Sequence, residues 1–137
     1  MATKKTSPKH SAVMLIDDNE IDNFINQKMI EGCDFSNRIY VHTSSKSALE
    51  FLTNLTAKDI PKELIPTVIF LDINMPIMDG FQFIEEFEKF HEDMKKYIRI
   101  IILTSSMDPI DLEKSRKYGL VQKFINKPLS MDSLDSI

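Results

Sequence analysis

The sequence predicts an α/β domain, a doubly wound parallel sheet with helices on both faces, and three observations carry that expectation. Short apolar runs alternate five times with amphipathic stretches, the pattern of a strand and its covering helix repeated along a chain. Three runs, Val13-Met14-Leu15-Ile16, Val68-Ile69-Phe70-Leu71 and Ile100-Ile101-Ile102-Leu103, are continuously apolar, as strands covered on both faces are. The other two, at 38–42 and 121–125, are interrupted by polar residues and suit strands with one side open to water.

With the first, third and fourth runs (12–16, 67–71, 99–103) in the centre, the strand order is 2-1-3-4-5, a flavodoxin-like winding. Ile21, Phe24, Ile25 and Met29 mark one helical face, Ala48, Leu49, Leu52 and Leu55 a second, and Phe83, Ile84, Phe87 and Phe90 a third, each expected to cover the sheet. The fourth helix shows its ends better than its face, with Asp108 as cap, Pro109 in the first turn and Gly119 just past the end. Its thin apolar content predicts a helix that is held weakly and shifts at low energetic cost. The fifth helix starts near Ser130 and has few residues before Ile137, so it is short, frayed or cut off. Residues 1–11 carry no apolar periodicity and are expected to be a disordered tail, leaving 12–137 as the domain.

At 137 residues, 42% apolar and 28% charged, the chain fits one domain with a single core. A net charge of −4 argues against direct nucleic-acid binding, which usually needs a basic face. The single cysteine, Cys33, excludes an internal disulfide and a cysteine-rich zinc site and fits a reducing compartment, so the expected location is the cytoplasm. No apolar run reaches the ~18 residues that cross a bilayer, and no membrane partner is expected. His10, His42 and His91 are scattered over a tail, an edge strand and a helix, so they form no metal cluster. Gly32, Gly80 and Gly119 fall at turns or helix ends and make no phosphate-cradling loop.

Ligands of a doubly wound sheet bind beyond the carboxyl ends of its strands, where the winding reverses. Strand one ends in Asp17-Asp18-Asn19-Glu20, strand three in Asp72-Ile73-Asn74-Met75-Pro76, strand four in Thr104-Ser105-Ser106, and strand five in Asn126-Lys127-Pro128. Three converging carboxylates repel one another unless a cation sits among them, and an all-oxygen donor set favours a hard ion such as Mg2+. Lys127 adds a compact positive charge, so the site suits a dianionic phosphoryl group, with Asp72 on the central strand as the nucleophile. Taken singly, Asp17, Asp18 and Asn19 read as helix caps, Asp72 as a turn residue, Thr104 as a strand-end hydroxyl and Lys127 as a surface charge. Their joint occurrence at four strand tips is what points to chemistry.

These residues resemble the response-regulator receiver family of two-component signalling from about Ala12 to the C-terminus. The stretch Leu71-Asp72-Ile73-Asn74-Met75-Pro76-Ile77-Met78-Asp79-Gly80 is similar to that family's phosphorylation loop. The resemblance implies Asp72 as phosphoacceptor, Asp18 as a direct magnesium ligand, Asp17 as a ligand through water and Asn74 as a ligand through its main-chain carbonyl. It implies that Lys127 contacts the phosphoryl group, that Thr104 donates its hydroxyl to it, and that Phe124 stands at the switch-aromatic position. Tyrosine is commoner there, and phenylalanine keeps the burial but cannot hydrogen-bond. The implied partners are a histidine kinase or histidine phosphotransfer protein as donor and a downstream protein target. Output is implied through the face formed by the fourth helix, fifth strand and fifth helix, and a phosphorylation-linked homodimer stays open. The protein would catalyse only its own phosphotransfer and dephosphorylation, either as a single-domain regulator or as a receiver from a longer protein.

Two rivals stand beside this reading. A magnesium-dependent phosphatase with Asp72 as a turnover nucleophile needs an acid two residues on, where Asn74 cannot protonate a leaving alcohol. A phosphorylation-independent interaction module would not need the complete set of acids, hydroxyl and lysine.

Overall fold

The computed structural model describes residues 8–57, 59–105 and 107–137. The elements run β1 (Val13–Ile16), α1 (Glu20–Gly32), β2 (Ile39–His42), α2 (Ser45–Ala57), a 3-10 turn at Lys62–Leu64, β3 (Val68–Leu71), α3 (Gly80–Phe87), α4 (Glu92–Tyr97), β4 (Arg99–Thr104), α5 (Pro109–Ser115), β5 (Val121–Asn126) and α6 (Met131–Asp135). All strands pair in parallel in the order β2-β1-β3-β4-β5, the predicted winding.

Alternation along the central strands divides the core in two. Met14, Ile16, Ile69, Leu71, Ile100 and Ile102 pack on one side with Ala48, Leu52, Phe83, Ile84 and Phe87. Val13, Leu15, Val68, Phe70, Ile101 and Leu103 pack on the other with Ile30, Phe35, Leu129 and Leu134. No described helix is long and apolar enough to cross a membrane.

The expected face of α1 is wrong over its first two turns, although Met29 does pack against the core. Ile21 and Phe24 are 70% and 61% exposed and Ile25 also faces solvent, while Asn23, Asn26 and Ile30 are buried. Both sets have helical spacing, and the packing resolves the choice. The first turns of α1 lie against strand tips whose polar groups need partners, and asparagines supply them. Asn23 Nδ2 donates to the Asp17 carbonyl at 2.8 Å, and Asn26 Oδ1 accepts from the Leu129 N–H at 2.9 Å.

Three boundaries also differ from expectation. The third helical stretch breaks after Phe87, and α4 starts anew with the His91 ring accepting from the Asp93 N–H at 3.2 Å. Helix α5 has the expected Asp108 cap and Pro109, but it ends at Ser115 with Arg116 as C-cap, so Gly119 lies beyond it in a turn. Of the expected tail, residues 1–7 lie outside the described residues, whereas Lys9 and His10 are engaged. Their N–H groups donate to the carbonyls of Asp34 and Phe35, and the His10 ring rests 4.5 Å from that of Phe35.

Candidate functional site

Parallel pairing brings the strand tips together. The Asp17 N–H donates to the His42 carbonyl at 3.0 Å, the Asp72 N–H to the Ile16 carbonyl at 2.9 Å, and the Lys127 N–H to the Thr104 carbonyl at 2.7 Å. Each site residue therefore continues the sheet hydrogen bonding by one step, which fixes its backbone before any side chain makes contact. Asp17, Asp72 and Thr104 are buried, at 3%, 5% and 0% exposure, and Asp18 is exposed at the mouth.

One carboxylate oxygen from each of Asp17, Asp18 and Asp72 lies within 4.8 Å of the others. Lys127 Nζ stands 2.6 Å from Asp17 Oδ2 and 3.7 Å from Asp72 Oδ1. The Asp17 contact is an ion pair out of line for a hydrogen bond, so this buried oxygen has no hydrogen-bond donor among the described residues. Asp17 Oδ1 accepts from the Asn19 N–H at 2.9 Å, and Asp72 Oδ1 from the Asn74 N–H at 3.3 Å.

Burial, and next the neighbouring Asp17 charge, push the Asp72 carboxyl up to about 6, against the opposing pull of Lys127. Burial also works against the charge of Lys127, but the close Asp17 carboxylate, the hydrogen bond to Asp22 and the charge of Asp72 outweigh it and hold the ammonium above its ordinary range. One lysine thus leaves the acids under-compensated. An all-oxygen cluster with a buried acceptor oxygen lacking a donor fits a hard divalent cation.

The loop after β3 is built to present Asp72. Asp79 caps α3 in a reciprocal box with Gln82, with hydrogen bonds of 2.9 Å in both directions. A Cβ at Gly80 would meet the Asp72 carbonyl oxygen and the Ile73 Cα at 2.7 Å each, so only glycine lets α3 start this close to Asp72. Ile77, fully exposed in the same loop, sits at φ 69°, a left-handed conformation that is costly for a β-branched residue.

All the sequence-predicted acids and Lys127 thus meet at one end of the sheet. Asn74 is exposed on the loop, and its N–H is the group that meets Asp72. Phe124 is half-buried, pairs with Ile102 in register and packs against the core on the α3 side. Ser106 lies outside the described residues. Asp22 was missed. Its Oδ2 accepts from Lys127 Nζ at 3.0 Å, yet in sequence it is one more acid in the first turn of a helix, where acids are ordinary.

A family model described as the response regulator receiver domain matches residues 13–137. Among curated proteins, the chain is similar to the sensor histidine kinase CheAY of Helicobacter pylori, with 29% identity over 133 residues, and spans 97% of this chain but only 15% of that one. It is also similar to the polar-differentiation response regulator DivK of Brucella ovis, with 27% identity over 120 residues covering 88% of this chain and 86% of DivK. Among solved structures, a two-component response regulator from Cytophaga hutchinsonii superposes with a TM-score of 0.82 at 33% identity, covering 91% of each chain. A response regulator receiver protein from Dyadobacter fermentans does so with a TM-score of 0.80 at 26% identity, covering 91% of this chain and 92% of the other.

Proposed function

This chain belongs to the response regulator receiver domain family, and from that premise we propose that Asp72 accepts a phosphoryl group from a phosphohistidine donor in a Mg2+-dependent reaction. The observation that carries the reading is the set of three acid oxygens within 4.8 Å of one another, with the Lys127 ammonium against two of those acids. An Asp72 oxygen forms the P–O bond while the P–N bond to the donor imidazole breaks and its electron pair returns to the ring. Asp17, Asp18 and Asp72 would hold the magnesium ion, with the Asn74 carbonyl as a further donor. When bound, the ion neutralises the acids and the charge that spreads over the phosphoryl oxygens. Lys127 supplies the second positive charge, and Thr104 would turn its hydroxyl to the modified Asp72.

The exposed ridge of Ile21, Phe24 and Ile25 beside the site supports docking of a helical histidine kinase or phosphotransfer protein over α1, because a desolvated apolar strip next to the acceptor would hold the donor histidine at attack distance. Output through α5, β5 and α6 to a protein target is supported by the exposed Met107 and Ile110.

The test is incubation with acetyl phosphate. The expected result is a mass increase of one phosphoryl group that requires Mg2+ and is lost in Asp72→Asn. Uptake that persists in that variant, or steady release of phosphate from unrelated esters, contradicts the reading and favours an enzyme.

A further inference from the structure

Lys127 has more partners than its proposed task needs. Its Nζ lies 2.6 Å from Asp17 and 3.0 Å from Asp22, but 3.7 Å from Asp72, the residue it would serve. Asp22 is not one of the three clustered acids. It projects from the capped first turn of α1, where its own N–H donates to Asn19 Oδ1 at 3.0 Å, so its carboxylate stands on a fixed support. Its side chain is one-third exposed while that of Lys127 is nearly buried, so their hydrogen bond runs from the acid pocket outward. It ends at a cavity of 240 Å³ lined by Asp22, Ile25, Asn26, Ser105, Lys127 and Pro128.

We propose that Asp22 is a positioning residue that competes with the phosphoryl group for Lys127. The proposal rests on the phosphoacceptor reading above. An ammonium has three donors, and here three carboxylates surround it. A metal ion held by the acid cluster would neutralise the charge of Asp17 and so weaken the lysine's shortest contact. Asp22 stays outside that cluster and keeps its hold. A phosphoryl group on Asp72 must draw Nζ away from this outer carboxylate, and the strength of the Asp22 bond sets how fully the lysine engages. Asp22 thereby tunes the stability of the modified state without touching the phosphoryl group or the metal.

The test is the affinity of fluoroberyllate, a phosphoryl mimic, at saturating Mg2+, in wild type, Asp22→Asn, Asp22→Glu and Glu20→Gln. A partly exposed ion pair sets the scale at roughly twofold to fivefold tighter binding in Asp22→Asn. Asp22→Glu is expected to return toward wild type, because the charge is restored. Glu20→Gln removes an equally local acid of the same turn that makes no contact with Lys127, and is expected to leave the affinity unchanged. In the metal-free protein, the Lys127 ammonium resonance is expected to broaden through faster exchange in Asp22→Asn alone. Unchanged or weaker binding in Asp22→Asn overturns the proposal, as does an equal gain in Glu20→Gln, which would mean a diffuse field and not a specific partner. Wild type that binds no fluoroberyllate brings down the phosphoacceptor reading itself, whereas wild-type binding with no Asp22 effect brings down only this inference.

Discussion

Helix α3 leaves the tip of β3 with Phe81, Phe83, Ile84 and Phe87 all buried, whereas α5 leaves the tip of β4 with Ser115 as its one buried residue and Ile110 75% exposed. Both helices are capped, α3 by the Asp79 box and α5 by Asp108 accepting from the Ile110 N–H at 2.9 Å. Capping therefore does not separate them, and burial does. A fully buried phenylalanine contributes roughly two to three times what a cap does. The β3–α3 side is built as a fixed mount for Asp72. The β4–α5 side, which carries Thr104, is anchored from outside, by Lys114 over the Phe81 ring at 4.6 Å and by Tyr118 stacked on the same ring at 5.9 Å. The difference teaches where a change at Asp72 would be read out: in the one of these two helices with less burial to lose.

The largest test of that contrast is mutational. Phe87→Ala is expected to cost ~3–5 kcal/mol of unfolding free energy, since it empties a buried site, while Ile110→Ala stays within about 0.5 kcal/mol. Denaturant unfolding of the two variants checks this, and comparable losses would erase the distinction between mount and moving part.

A somewhat smaller effect sharpens what the fixed side carries. Folding raises the Asp72 carboxyl from 3.8 to about 6, so the folded state favours the protonated form. Below the unfolded value both states are protonated and nothing is lost. As pH rises from about 4 to about 7 the unfolded chain ionises first, and the metal-free protein loses up to ~3 kcal/mol. Asp72→Asn has no such group, so its stability relative to wild type is expected to grow over that interval in chelator, and Mg2+ is expected to shrink the gap. Stability curves that run parallel in pH would show that the acid cluster imposes no such cost.

The contrast also explains what could be read from the sequence. Central strands were legible because burial on both faces forces unbroken apolar runs, and the strand tips followed from the winding, which is why Asp17, Asp18, Asp72, Thr104 and Lys127 could be named. The thin burial of α5 was legible for the same reason. The orientation of α1 was not, because an apolar ridge at helical spacing looks the same whether it meets a sheet or awaits a partner, and only contacts at Asn23 and Asn26 decide. Asp22 was hidden because its contact is with a lysine more than a hundred residues away. The early end of α5 was hidden because a glycine past a helix marks the latest point of termination, not the first.

The most direct check is an amide chemical-shift map of the protein with Mg2+, before and after adding fluoroberyllate. The account predicts large changes at the tips of β1, β3 and β5 and through Thr104 and α5, with the buried residues of α3 nearly silent. Changes confined to the acid cluster, or spread equally through α3, would contradict it.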